Sequence, residues 1–510
     1  MSFDVVISGG RVLDGTGAPP YRADVGIAGD RVEAVGRLDG AAARTVIDAT
    51  GRLVAPGFVD CHAHGDAAVF DPAVQRAALR QGVTTFVLGQ DGLSFAPGSA
   101  ETVAYASRYF AAVNGSLKRD EGPLTVGELL GGYDRAVALN TAYLLPHGTI
   151  RYDVMGASPA PAGPDHLAAM LRHVERGLSE GAVGLSSGLE YLPGRHAGAD
   201  ELAALCAPLG GLPYVTHMRA YGDRAGVGMA EVVDIARRSG AAVHVSHLHG
   251  PADVLLPLVD EALAQGVDLT FDTYPYLRGN TILAMVVLPS EVPGAEPDRA
   301  LAMIASSVLD DHWPTLDAVW PRLTVSHAPG LEWAEGMTMV AAAERAGMRP
   351  ADFCRRLLTE TRLEAGVVSA RPDEGPQGEE SVRRMLRHPS QTGGSDGIYV
   401  GGHPHPRGFG AFARFLGRHV RELGDWTWEQ AAVHLAAHPA RRFWLADRGL
   451  LRRGFAADVV VFDPAAVTDR ATYEAPREPA EGVGDVLVSG VPVLAGGELT
   501  GATPGRALRP

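Results

Sequence analysis

Short apolar runs broken by Gly and Asp turns open the chain: DVVISGGRVLDG, ADVGIAGDRVEAVG and ARTVIDATGRLVAPG read as antiparallel strands. The same texture returns in ADVVVFDP and GDVLVSGVPVLAGGEL, so residues 1–56 and 450–510 are expected to build one small β-sandwich from both chain ends. Between them, over residues 57–449, strand-like runs alternate with Ala/Leu/Arg-rich helical stretches. TTFVLG, AYLLPHG, AVGLSSG, LPYVTHM, AVHVSHL, VDLTFDTYPY and QTGGSDG are the strand candidates. DPAVQRAALRQG, HLAAMLRHVERGLSEG and GMAEVVDIARRSG are helical, each ending at a Gly suited to a C-cap. This α/β alternation predicts a parallel sheet. Its length and polar strand ends favour a closed, TIM-like (β/α)8 barrel over an open sheet. Residues 277–350 interrupt the rhythm and are expected to form an insertion or lid.

Composition narrows the field. At 510 residues there is room for a barrel and a smaller domain. A net charge of −15 without any Lys/Arg-rich block argues against a nucleic-acid surface. No charged segment followed by an apolar stretch opens the sequence, and no apolar run approaches the roughly 20 residues of a membrane span. Cys61, Cys206 and Cys354 are too few and scattered for a disulfide framework, which points to a cytoplasmic protein with reduced thiols. Lys118 is the only lysine, in the polar stretch NGSLKRDEGP. A solvated surface charge is expected there, so chemistry that needs a strand-end lysine is disfavoured.

The candidate chemistry starts at VAPGFVDCHAHGD, residues 54–66. On an extended strand Asp60, His62 and His64 face one way and Cys61 the other. Two imidazoles two residues apart at a strand end can reach one metal ion, although a lone His-x-His is equally compatible with satisfied core histidines. Two more strands end in histidine, His217 in LPYVTHMRAYG and His247 in AVHVSHLHG, and Asp396 closes QTGGSDG. Each alone reads as structural. The ordered set at the ends of separate strands lies where barrel enzymes place their chemistry.

These motifs, together with GVTTFVLGQDG, GTIRYDVMG, VGLSSGLEYLPG, THMRAYGD, FDTYPY and GGSDGIYVGGHPHPRGFGAF, resemble the amidohydrolase superfamily and, within it, the N-acyl-D-amino-acid deacylases. The resemblance spans almost the whole chain. It implies zinc, one ion or two, on His62, His64, His217 and His247, with Asp396 as catalytic acid/base. Zinc accepts such ligands and brings the pKa of bound water towards about 7. Asp396 would take the proton and pass it to the departing amine. The implied reaction is hydrolysis of the amide of an N-acyl-D-amino acid, and handedness comes only from the resemblance.

One departure stands out. The family carries a ligating cysteine in a Gly-Asn-Cys-Gly setting after the second barrel strand; here the residues are Gly89, Gln90, Asp91 and Gly92. Either Asp91 replaces the thiolate with an oxygen ligand, or it belongs to an ordinary turn. At the substrate end, Arg407 matches the family's carboxylate-binding arginine, and a guanidinium can hold a carboxylate through two bonds. Tyr274 and Tyr276 share a strand face with Asp272, and either hydroxyl can assist; the resemblance matches the family's tyrosine to Tyr274. His249 stands where the family commonly has lysine, which touches the substrate carboxylate pocket. His147 and Glu190 also fall at strand ends, as pocket or structural residues, whereas His403, His405, His434 and His438 read as non-ligands.

The alternatives are a hydrolase of another linear or cyclic amide, hydantoinase- or dihydroorotase-like, and a catalytically inactive scaffold of the same fold. The cyclic amidases usually rely on a carboxylated lysine, and a dead scaffold would have lost several of these residues. The expected partner is a small N-acyl amino acid or related amide; a homo-oligomer is left open.

Overall fold

The structure, a computed structural model, describes residues 2–117 and 122–510, so Lys118 lies outside the described residues. Parallel strands alternate with helices through the middle of the chain. One hydrogen-bonded run holds β1 (Phe58–Asp60), β2 (Val83–Leu88) and β3 (Asn140–Tyr143), with β2 in the centre. A second run follows in chain order: β4 (Leu145–Pro146), β5 (Leu185–Gly188), β6 (Pro213–His217), β7 (Ala242–Val245), β8 (Leu269–Asp272) and β9 (Gln391–Thr392). Every ladder in both runs is parallel. The Leu144 N–H donates to the Leu88 carbonyl at 3.0 Å, and the Cys61 N–H donates to the Gly393 carbonyl at 3.2 Å.

The helices between these strands start and stop for local reasons. Pro72–Leu79 begins at Asp71, whose carboxylate accepts the Ala73 N–H, with Pro72 supplying a preset φ. Ala225–Ser239 stops at Gly240, where φ is +73°. One apolar cluster joins the strands to the inward faces of these helices, including Phe86, Leu145, Tyr214, Ile235 and Phe271. Burial of this kind is the main driving force for the fold.

The interruption reaches further than the sequence suggests. Arg278–Ile282, Leu323–His327 and Gly366–Ala370 form an antiparallel sheet, and residues around Trp313, Trp320 and Phe353 make a separate apolar core. The expected end at residue 350 is therefore corrected to about Ala370. The helix Pro350–Glu360 has the composition of the surrounding αβ repeats, but its buried face, Phe353, Leu357 and Leu358, packs inside the insertion.

The chain ends supply two more sheets. Arg31–Gly36, Asp24–Ala28, Ser2–Ser8 and Ala42–Asp48 form one; Leu53–Pro56 pairs with Val459–Phe462 in another that contains strands from both ends. Val5, Ile27, Val12, Val459 and Leu487 share one apolar cluster between them. Among the described residues no helix is long and apolar enough to cross a membrane, and the three cysteines are buried and unpaired.

Candidate metal centre

Strand alternation does not carry from Asp60 to His64. β1 ends at Asp60, the chain bends at Cys61 and His62, and Ala63–His64 then pairs with Gly397–Ile398. Asp60 organises this bend. Its carboxylate accepts the N–H of His62 at 3.2 Å and of Ser395 at 2.8 Å, and the Asp396 N–H donates to the His62 carbonyl at 2.8 Å. Burial pushes the Asp60 carboxyl up to about 7 even against the pull of these hydrogen bonds. The result is that His62, His64 and Asp396 converge, while the Cys61 thiol turns away to Thr392.

Asp91 arrives from the loop after β2. Its φ is +55°, in the left-handed region that short polar side chains tolerate better than bulky ones. Asp396 and His247 also have positive φ, at 50° and 32°. Three site residues in sparsely populated backbone regions mark a place where the surrounding fold holds a geometry the chain would not choose locally. The Asp91 loop lies flat on the end of β5: a Cβ on Gly188 would sit 2.1 Å from the Asp91 carbonyl oxygen, and one on Gly92 would sit 2.6 Å from the Gly188 nitrogen.

The Asp91 carboxylate sits amid four imidazoles. It is 3.6 Å from His62 Nε2, 3.6 Å from His64 Nε2, 3.4 Å from His217 Nδ1 and 3.5 Å from His247 Nε2. Asp396 Oδ1 adds contacts of 3.2 Å to His64 and 3.6 Å to His62. Most of these separations are too long for good hydrogen bonds. They match the edge of a tetrahedron whose centre is about 2.0–2.1 Å from each donor, roughly 3.3–3.4 Å. Asp91 Oδ1 and His217 Nδ1 are buried with no hydrogen-bond partner. The donor set of imidazole and carboxylate suits zinc, so the residues present fit a metal ion.

Electrostatics agree. Burial alone would lower the His64 and His217 pKa values, but nearby carboxylates, Asp91 with Asp396 or Glu190, outweigh it and raise each to about 10. The cluster thus attracts positive charge. For Asp91 the cost of burial is overcome by the surrounding imidazoles, which hold its carboxyl well below the usual range.

The outer nitrogens of three of the four rings are also held, while Nδ1 of His247 is buried without a partner. His62 Nδ1 lies 3.2 Å from Asp272 Oδ2, His64 Nδ1 is 2.9 Å from Asn114 Oδ1, and His217 Nε2 is 2.9 Å from Glu190 Oε2. Such partners fix ring orientation. Asp272 also accepts the His247 backbone N–H at 2.9 Å and lies 3.1 Å from His244 Nε2. The sequence reading missed Asp60, Asn114 and the part played by Asp272. Asp60 in VAPGFVDCHAHGD and Asp272 in FDTYPY, both strand-end carboxylates, carried a local signal; Asn114 carried none. His147 is enclosed with Glu201 at 2.8 Å, away from the cluster. His403, His405, His434 and His438 also lie outside it, bonded to backbone groups.

A cavity of about 220 Å³ opens beside the cluster, with Arg407, Tyr274 and His249 in its wall. One arm of the buried Arg407 meets Asp396 Oδ2 at 2.8 Å, while Nε and Nη1 have no partner. The guanidinium lies 4.6 Å from the Tyr274 ring centre. His249 stacks on Tyr221 at 4.7 Å, and burial with nearby Arg371 pushes its pKa down to about 3, leaving a neutral ring. Tyr276 does not line this cavity. It faces a second one of about 400 Å³, near Arg414 and Asp469, with its hydroxyl unpartnered. Its expected place beside Tyr274 is corrected: β8 ends at Asp272, so alternation cannot be counted onward to Tyr276.

A parallel α/β scaffold whose strand ends gather four imidazoles, two carboxylates and a half-free arginine is the arrangement of a metal-assisted hydrolase. The chain belongs to the amidohydrolase family, whose pattern matches residues 45–494. It is 36% identical over 517 residues to the N-acyl-D-glutamate deacylase of Alcaligenes xylosoxydans xylosoxydans, covering 99% of this chain and 96% of that one. It is similar in structure to the N-acyl-D-glutamate deacylase of Bordetella bronchiseptica solved with zinc and a phosphonate inhibitor that mimics the tetrahedral intermediate, with a TM-score of 0.84, 33% identity and all of both chains covered. A D-aminoacylase structure described with a binuclear metal centre gives a TM-score of 0.83 at 33% identity, again over all of both chains.

Proposed function

We propose that the chain hydrolyses the amide bond of N-acyl-D-amino acids, releasing a carboxylate and a free D-amino acid, with His62, His64, Asp91, His217 and His247 holding one zinc ion or two. The observation that carries the reading is the Asp91 carboxylate, 3.4–3.6 Å from the ring nitrogens of all four histidines. The D configuration follows from the relatives. Bound zinc supplies Lewis acidity, lowering the pKa of water and stabilising negative charge on the amide oxygen.

The protein's own groups do the rest. Arg407 offers its unpartnered Nη1 to the substrate carboxylate and fixes the scissile amide relative to the strand ends. Its other arm, with the neighbouring imidazoles, outweighs burial and keeps the Asp396 carboxyl below its usual pKa, so it is ionised and ready to accept. Asp396 takes the proton from the attacking water at Oδ1 and delivers it to the leaving nitrogen as the C–N bond breaks. Tyr274 supports the guanidinium from its ring face, and neutral His249 shapes the pocket beyond it.

The reading also includes the architecture. β3 and β4 count as one strand broken at Leu144, which gives eight, and the Cys61–Gly393 hydrogen bond supports closure of the two runs into a (β/α)8 barrel. Residues 1–56 and 450–510 are assigned to a β-sandwich, and the barrel to 57–449 with its insertion. A small amide substrate and a reducing cytoplasm, consistent with three unpaired buried cysteines, complete the proposal.

The test is amine release by zinc-loaded protein from paired N-acetyl-D- and N-acetyl-L-amino acids. Release from the D series alone is expected. Release from the L series alone, or from neither with metal bound, would overturn the reading.

A further inference from the structure

The charges around the cavity carry a further step, which rests on the deacylase reading above. We propose that the enzyme selects N-acyl-D-amino acids with uncharged side chains and rejects those of D-glutamate and D-aspartate.

Any substrate of the class brings one carboxylate, and an acidic side chain brings a second. Among the described residues lining the cavity, Arg407 is the one guanidinium or ammonium group. Its single positive charge already faces Asp396 through Nη2, and of the two unpartnered nitrogens, which lie on different edges of the guanidinium, Nη1 can take one carboxylate. Among the described residues lining the cavity nothing comparable waits for the second. His249, where the family resemblance leads one to expect lysine, gives its Nδ1–H to the His247 carbonyl at 2.8 Å and stacks on Tyr221. Arg371, which lies behind His249, does not line the cavity and has its Nε and Nη2 on Asp373, at 2.9 and 2.7 Å.

The other walls are either apolar or of the wrong sign. Val113, Tyr191, Met285 and Val286 offer hydrocarbon and ring surface. Glu190, already on His217, is a like charge. Asn280, whose buried side-chain amide has no partner, offers neutral donors and an acceptor. Whichever of these described walls the side chain meets once Arg407 and the metal fix the other two ends, a carboxylate there loses water and gains no counter-charge. An uncharged chain loses only water that the apolar wall replaces favourably. The inference runs against the activity named for the Alcaligenes and Bordetella relatives, and it does so on residues of this chain.

The experiment compares kcat/KM of zinc-loaded wild-type protein for N-acetyl-D-methionine, N-acetyl-D-glutamine and N-acetyl-D-glutamate. Glutamine and glutamate share a shape and differ in charge, so their ratio isolates the electrostatic effect. Methionine is expected to be turned over best, and glutamate about 100-fold less well than glutamine. Glutamate turned over as well as glutamine, or better, overturns the inference while leaving the deacylase reading intact. No turnover of any of the three by metal-loaded protein removes the deacylase reading and this inference with it.

Discussion

At the scale of single residues the centre is a problem of charge. Asp91 and Asp396 are both almost fully buried, and in a low-dielectric site two carboxylates need compensating cations. Imidazoles can provide this as imidazolium, but bound zinc does so with tighter geometry. In the proposed site Asp91 would supply one unit of negative charge through oxygen. Asp91→Ala is therefore expected to lose at least one zinc equivalent on dialysis and to drop about 100-fold or more in kcat. Asp91→Cys should retain metal. Unchanged stoichiometry and rate in the alanine variant would remove Asp91 from the ligand set. Arg407 makes a separate case. Charged hydrogen bonds contribute about 1.5–3 kcal/mol, so Arg407→Ala should lower kcat/KM for an N-acyl-D-amino acid by roughly 10–100-fold. The corresponding N-acyl-D-amino acid amide, lacking the carboxylate, should lose much less. Equal losses on both substrates would mean that Arg407 acts only through Asp396.

Elements decide where those residues can stand. The Asp91 loop depends on β5 ending in glycine, because a methyl at position 188 would overlap the Asp91 carbonyl. Gly188→Ala is expected to lower zinc retention while leaving the circular dichroism of the strands and helices intact; a variant that binds zinc like wild type would show that the loop has room to move. Asp272, at the end of β8, reaches His62 by its side chain and His247 through backbone. Asp272→Asn should weaken zinc affinity by about 10–100-fold in chelator competition. An affinity indistinguishable from wild type would reduce Asp272 to a packing role. The same scale explains what was legible beforehand. His62, His64, His217, His247 and Asp396 each sit at or just beyond a strand end, and strand ends leave a local signature of apolar residues followed by a polar one. Tyr276 was misplaced by carrying strand periodicity past the last strand residue. Asn114 does its work through a contact 50 positions away, and Asp60 joins its local bond to His62 with one 335 positions away, which no local pattern encodes.

For the molecule as a whole, the proposed zinc site is a tie between distant pieces of chain. Its ligands follow β1 and β2, end β6 and follow β7, and Asp396 comes after an insertion with its own apolar core. An ion that binds the folded arrangement and not the open chain stabilises it by mass action, about 2.7 kcal/mol at a free concentration 100 times Kd and more for tighter binding. Spread over the unfolding entropy of a chain this long, that becomes a rise of about 2–3 °C in melting temperature. Stripping with a chelator should thus abolish activity and lower the melting temperature by that amount, and adding zinc back should restore both. The insertion core contributes no ligand, so its tryptophans, Trp313 and Trp320, offer an internal control. Their environment, followed by fluorescence at room temperature, should stay unchanged while metal is removed. A melting temperature indifferent to complete zinc loss would show that the strand ends hold their geometry unaided. In that case the four histidines and Asp91 are preorganised by packing alone.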